Sequence, residues 1–439
     1  MRKGSIFTIA LLITAMLMTL CGTTSCGNGK QNDIEAASSD DGSQDDAESR
    51  ERSAGAVFAF PATDYVDQKE MELADYWKGS NEASLAAVMK KAAQGKKVTI
   101  AAIGGSITQG TVSAGTGDSE VEEKKSYTEY FFSWWQETFP DTELETINAG
   151  IGATDSYLGV HRVRRDVLEA EPDLVLVEFA VNDGNTQFYK KSYDNLIRTI
   201  LKAENAPAVL LFFMAQTNGE SAQENQSIVG FSYSLPMVSY RNVIKEMTET
   251  GKYSEKELSG DGVHPSALGH AIAGEILWKY LNSVYADLEV YEEPENFTKE
   301  AVTKECYSGA EILNAEKTVP EFIKNFEEDT VFPAFPKGWS CEEEGEIRFK
   351  VSFANLGILY YCQTDGKGGQ YEVYVDGEPA GVLDADFKGG WGNYAKAQEC
   401  YTSDRVSEHE VTIKRKEDST GGMFSLLGLL VSGGTGKGS

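Results

Sequence analysis

Between about residues 80 and 285, short runs of apolar residues alternate with segments whose apolar residues recur at helical spacing. The runs are KKVTIAAIGG, the segment Leu144 to Ala149, DLVLVEFAV and AVLLFFMA. Helical spacing appears at Leu85 to Ala93, Ser126 to Pro140, Leu158 to Glu169, Tyr193 to Ala203, Tyr240 to Glu249 and Ser266 to about Val284. Gly95 and Pro140 stand where the first two helices should stop. A strand that is apolar on both faces must be covered on both. The alternation therefore predicts an α/β fold, a parallel sheet between two layers of helices.

The texture changes after Leu288. EIRFKVSF alternates strictly, with Ile347, Phe349, Val351 and Phe353 on one face. QYEVYVDGEPAGVL sets Asp376-Gly377 between two strand-like runs, a strong hairpin signal. These features predict a C-terminal antiparallel β-sandwich, jelly-roll-like in its short alternating strands and Gly-rich turns. A chain of 439 residues is too long for one ordinary core, so two domains are expected on size alone.

At the N-terminus, Arg2 and Lys3 precede the apolar run Ile6 to Leu20 and then CGTTSCGNG. This is the pattern of an export signal, too short for a comfortable membrane span. Thr23, Thr24 and Ser25 before Cys26 resemble a bacterial lipoprotein cleavage box, although an aliphatic residue usually stands where Thr23 does. Cys21, behind bulky Leu20, fits less well. The pattern leaves two outcomes, lipidation at Cys26 or plain secretion. Gln31 to Ser53 is acidic and Ser-rich, and cannot bury enough apolar surface to order itself. The expected organisation is a lipoprotein-type signal peptide at 1–26, an acidic disordered tether at 27–56, the α/β domain at 57–288 and a β-sandwich at 289–439. The expected location is the outer face of a bacterial cytoplasmic membrane, reached through a lipid anchor only.

A formal charge of −29 argues against nucleic-acid partners, whose phosphates need Lys and Arg. Cys306, Cys341, Cys362 and Cys400 follow no zinc spacing, so no metal is expected. An exported chain leaves them as free thiols or as one of three disulfide pairings.

In an open α/β sheet, ligands bind at the carboxyl ends of the strands. Ser106 leaves the first strand. The second ends in NAGIGATDS, where Gly150, Gly152 and Ala153 expose backbone N–H groups. AVND after the third delivers Asn182, and DGVHP before the last helix carries Asp261 and His264. A serine hydroxyl needs a base, which His264 supplies, and Asp261 can reach back to fix its tautomer. The N–H of Ser106, an N–H from Gly152 or Ala153 and the amide of Asn182 are candidate donors to a tetrahedral oxyanion.

Gly104-Gly105-Ser106, the turn at Gly150 to Ala153, Asn182 and Asp261-x-x-His264 resemble, in order, the four blocks of the SGNH hydrolases, the GDSL-type esterases and lipases. The resemblance covers about residues 97 to 285. It implies a flavodoxin-like three-layer fold, serine esterase chemistry and no cofactor. It also implies Ser106 as nucleophile, His264 and Asp261 as its partners, and Asn182 with Gly152 or Ala153 in the oxyanion hole. Gly105 stands where that family usually has Asp, a variant similar to its carbohydrate-esterase branches, and Ala180 stands where it often has Gly.

The function expected is removal of small acyl groups, acetyl above all, from a carbohydrate through an acyl-enzyme. The alternatives are a lipase, phospholipase or thioesterase, with the stretch Asn218 to Met237 as a lid, or an inert glycan-binding lipoprotein. Asp183 is expected to be part of a turn only. His161, beside Arg162, Arg164 and Arg165, is expected on a solvated helix face. His270 is expected to be structural and His409 to point outward. Trp391, in the Gly-rich GGWGNY, is a candidate for stacking on a sugar ring.

Overall fold

The structure, a computed structural model, describes residues 59–60, 64–122 and 124–433. The apolar N-terminal run, Cys26 and the acidic segment lie outside the described residues.

Strands β1 (Val98–Gly104), β2 (Leu144–Gly150), β3 (Leu174–Glu178), β4 (Ala208–Phe213) and β5 (Met237–Ser239) form a parallel sheet in the order β2-β1-β3-β4-β5. Alternate side chains feed two cores. Val98, Ile100, Ala102, Leu174 and Leu176 pack against the helices Ala83–Ala93, Tyr127–Thr138, Tyr240–Thr250 and Ala267–Ala286. Ala101, Ile103, Val175 and Val177 pack against Ser156–Asp166, Gln187–Leu201 and Gln223–Tyr233. That double burial is why β1, β3 and β4 are nearly all apolar, whereas the edge strand β2, with Glu145, Thr146 and Asn148, is largely exposed. The strand order reverses direction between β1 and β3, which opens a crevice at their carboxyl ends.

Local signals set the helix ends. Ser126 and Glu129 form a capping box before Tyr127–Thr138. Thr186 caps the helix that begins at Gln187, six residues ahead of the apolar periodicity used to expect it. The stretch considered as a lid is no lid. It holds the helix Gln223–Tyr233 and leads into β5, with Val229 and Tyr233 buried in the core.

The C-terminal half is one nine-stranded sheet. Its path is β12 (Glu378–Asp384), β11 (Gln370–Val375), β13 (Tyr394–Arg415), β10 (Glu346–Cys362), β14 (Phe424–Ser432), β9 (Gly338–Cys341) and β8 (Glu327–Asp329). The short strands β6 (Glu311–Leu313) and β7 (Phe322–Lys324) join β14 and β10. All its pairings between strands are antiparallel. Within β10, Ile347, Phe349, Val351 and Phe353 enter the core, followed by Leu356, Ile358 and Tyr360. The change from odd to even positions falls at register shifts near Asn355, where a bulge bends the strand around its own core. Asp376 and Gly377, both at positive φ, close the β11–β12 hairpin.

His409 does not point outward. It is buried, stacked on Phe353, and its Nδ1 lies 2.6 Å from Asp376 Oδ2, because the hairpin turn folds its carboxylate back onto β13. All four cysteines of this half are free thiols. The two halves share one apolar layer, in which Tyr157 meets Tyr307 and Leu359 joins the second core of the α/β sheet. Tyr307 also donates its hydroxyl to Glu399 at 2.6 Å.

Candidate active site

Ser106 follows β1 directly and starts a single helical turn, Ser106–Gln109. Its Oγ lies 2.9 Å from His264 Nε2, and His264 Nδ1 lies 2.8 Å from Asp261 Oδ2. This pairing puts the ring proton on Nδ1 and leaves Nε2 free to accept the serine proton. The loop 259–264 is built around Asp261, whose Oδ1 accepts the N–H groups of Val263 and His264, each at 2.8 Å. Gly262, at φ +83°, makes that tight return possible. Ser113 and Ser259 donate their hydroxyls to the His264 carbonyl at 2.5 and 2.7 Å, which pins the backbone behind the ring. Burial pushes the Asp261 carboxyl up, but the His264 ring and the two N–H bonds outweigh it and hold it below its ordinary value.

Two groups beside Ser106 offer hydrogens. Asn182 leans over Gly105 with Oδ1 as its nearer amide atom, leaving Nδ2 the farther. In the turn after β2, the Gly152 N–H is already taken by Gln109 Oε1 at 2.9 Å. Ala153, at φ +59°, makes no intramolecular bond through its N–H among the described residues. Of the two turn donors weighed from the sequence, Ala153 is the open one.

Beneath these groups lies a buried polar layer. Glu178 accepts the Ala180 N–H at 2.9 Å and the Thr108 hydroxyl at 3.3 Å, while burial raises its carboxyl to about 7. Asp183 is more than a turn residue. It is buried, accepts the Ser156 N–H and the Gln226 amide, and is held well above the ordinary range by burial and by Asp155. His161 and Arg162 are not on a solvated face either; they are 3% and 0% exposed. The Arg-rich run hid this because the C-terminal half covers His161 while Arg162 turns toward the sheet. His270 is buried, with Nδ1 accepting the Tyr127 N–H at 3.2 Å.

The site opens into a cleft of about 890 Å³ with walls from both halves of the chain. Ser106, Gln109, Ala153, Asn182 and His264 form one side, and Phe332, Trp391, Asn393 and Tyr394 of the C-terminal half line the other. Trp391 is 70% exposed, an unusual position for a tryptophan, and packs on Phe387 and Tyr394. Among the described residues no group of His, Cys, Asp and Glu is arranged to hold a metal ion. The arrangement can activate a hydroxyl, transfer its proton and stabilise a developing oxyanion. Ser113, Ser259, Gln109 and Phe332 carry no motif that would single them out in the sequence, whereas Trp391 stands out there by its Gly-rich surroundings.

Residues 102–272 match the family model for GDSL-like lipases and acylhydrolases. No curated protein matches the chain in sequence. Among solved structures, a two-domain esterase active on acetylated mannans is similar at 27% identity, covering 82% of this chain and 98% of its own, with a TM-score of 0.74. A structure of the same description, co-crystallized with mannopentaose, gives 27% identity, 82% and 97% coverage and a TM-score of 0.73. The family match and the pairing of Ser106 after β1 with His264 in the loop before the last helix mark residues 102–272 as a GDSL-like, or SGNH, domain and the chain as a carboxylic-ester hydrolase.

Proposed function

We propose that the protein removes acetyl groups from an acetylated carbohydrate chain by a two-step acyl transfer on Ser106. The observation that carries this reading is the unbroken hydrogen-bonded line from Ser106 Oγ through His264 to Asp261 at the floor of a cleft walled by an exposed tryptophan. In the first step His264 Nε2 takes the serine proton as Oγ attacks the acetyl carbonyl. The oxyanion that forms is met by the N–H groups of Ser106 and Ala153 and by Asn182 Nδ2. His264 then gives its proton to the departing sugar oxygen, leaving acetyl-Ser106. Water, deprotonated by the same imidazole, attacks that ester; acetate leaves and Ser106 regains its proton. Asp261 stabilises the imidazolium and keeps its tautomer.

A sugar polymer suits the cleft better than a long acyl chain does. Trp391, Tyr394 and Phe332 give the cleft an aromatic lining suited to a pyranose ring, and the stretch considered as a lipase lid packs Val229 and Tyr233 into the core. The likeness to the acetylmannan esterase across both halves supports the same substrate class. We extend the proposal to export, with the apolar N-terminal run as signal and Cys26 as the lipid-bearing residue. Mass spectrometry of the mature N-terminus tests that part. The catalytic reading is tested by acetate release from acetylated mannan and xylan. Wild type should release acetate, and Ser106→Ala and His264→Ala should be at least a thousandfold slower. Wild-type rates in Ser106→Ala would overturn the mechanism.

A further inference from the structure

Arg162 sits in the middle of the helix Ser156–Asp166, without solvent exposure. Its Nη1 donates to the carbonyl of Ala149 at 2.7 Å and to Asp166 Oδ2 at 3.0 Å. Its Nη2 donates to the carbonyl of Gly104 at 2.9 Å and to Thr154 Oγ1 at 3.2 Å. Gly104 ends the strand that presents Ser106, and Ala149 and Thr154 bracket the turn that presents Ala153. The Gly104 carbonyl also accepts the Ile151 N–H at 3.1 Å. The guanidinium thus ties the nucleophile's strand end to the donor turn, from directly beneath.

Packing alone does not explain an arginine here. Burying a guanidinium costs several kcal/mol before its bonds are counted, and an aliphatic side chain would fill the gap between helix and sheet without that cost. What an aliphatic side chain lacks is a planar fork able to grip two carbonyls from neighbouring strands at once. Lysine, a single point of charge on a flexible stem, lacks it too. Gly104 and Gly150 show how little slack the joint has. A Cβ on Gly104 would come within 2.7 Å of Thr108 Cβ, and one on Gly150 within 2.6 Å of Gln109 Cα.

We propose that Arg162 is a positioning residue, one that fixes the spacing between Ser106 and the oxyanion donors of the 150–153 turn. The inference rests on the acyl-transfer reading above, and a Ser106→Ala control separates its failure from the failure of that reading. Asp166 provides the contrast, because it pairs with Arg162 Nη1 from one turn along the same helix and belongs to neither loop.

The experiment measures kcat, KM and Tm for Arg162→Lys, Thr154→Val and Asp166→Asn with p-nitrophenyl acetate, well below each Tm. A misplacement of about 1 Å at a reacting centre costs on the order of a hundredfold in rate. Arg162→Lys should therefore lose about that much kcat with KM within threefold. Asp166→Asn should lower Tm while keeping kcat within twofold. Thr154→Val, which keeps the shape but removes the bond from Arg162 along with the hydroxyl's own bonds to the Ile151 and Gly104 carbonyls, should lose several-fold in kcat and carries the test if Arg162→Lys does not fold. The proposal is overturned if folded Arg162→Lys keeps wild-type kcat, if Asp166→Asn loses as much kcat as Arg162→Lys, or, where only Thr154→Val folds, if its kcat is unchanged.

Discussion

Replacing Gly105 by alanine adds one methyl group next to the nucleophile and tests the role proposed for Asn182. A Cβ built on Gly105 lies 2.8 Å from Asn182 Cγ and nearer still to Oδ1. Carbon atoms in comfortable contact stand about 3.5–4.0 Å apart, so the carboxamide must retreat by roughly 1 Å. The φ of −88° at Gly105 lies outside the left-handed region, and the obstacle is the end of a side chain rather than main chain. The fold should absorb the change while the site does not. Loss of one oxyanion donor costs about 3–4 kcal/mol of transition-state stabilisation, or a hundred- to thousandfold in kcat. Steady-state hydrolysis of p-nitrophenyl acetate, beside a thermal melt, reads both quantities. The expected result is a kcat lower by at least a hundredfold, a KM within a fewfold and a Tm within about 3 °C. A Gly105→Ala enzyme with kcat within twofold of wild type would show that the carboxamide of Asn182 does not stabilise the transition state.

Three further outcomes follow from the geometry. Glu178, raised by burial from 4.5 to about 7, keeps its proton in the folded chain after the unfolded chain has lost it, so its contribution to stability falls as pH rises from about 4.5 to 7. That contribution is on the order of 3 kcal/mol, and melts of Glu178→Gln across this range should lack the downward slope that wild type shows relative to it. Trp391→Ala should raise KM for acetylated oligosaccharides about tenfold, the equivalent of an aromatic contact of about 1.4 kcal/mol, and raise KM for p-nitrophenyl acetate much less; equal effects on both would remove the stacking role. Ala153→Gly relieves a left-handed backbone while keeping the N–H, so kcat should hold within threefold and Tm should not fall. A hundredfold loss there would argue that the methyl group, not the amide, matters.

The sequence is legible where one physical rule acts alone. Apolar runs such as IAAI and LVLV admit little besides strands covered on both faces, and Asp376-Gly377 admits little besides a tight hairpin. Ser106 and Asn182 stand out as polar residues just past apolar runs, where an α/β sheet keeps its ligands, and Asp261 and His264 by their spacing in the loop before the last helix. The residues around them are less visible. The helix Ser156–Asp166 buries two faces, Arg162 against the sheet and His161 against Tyr307 of the C-terminal half, while Asp183 is held inward from the loop after β3 by the Ser156 N–H and the Gln226 amide. Ser113 and Ser259 support His264 from loops 146 residues apart, too distant for any local pattern to join. The helix Gln223–Tyr233 escapes notice for a related reason. Its buried residues include Gln226 and Ser227, so apolar periodicity is weak although the helix is packed in the core.

Covalent labelling addresses the central assignment most directly. A fluorophosphonate captures only a serine that is ionised by a base and faces an oxyanion site, and peptide mass spectrometry then reports which serine bears the adduct. The account predicts a single adduct on the peptide containing Ser106, formed together with loss of esterase activity and abolished in His264→Ala. An adduct on another serine, or full inactivation with Ser106 unmodified, would contradict it.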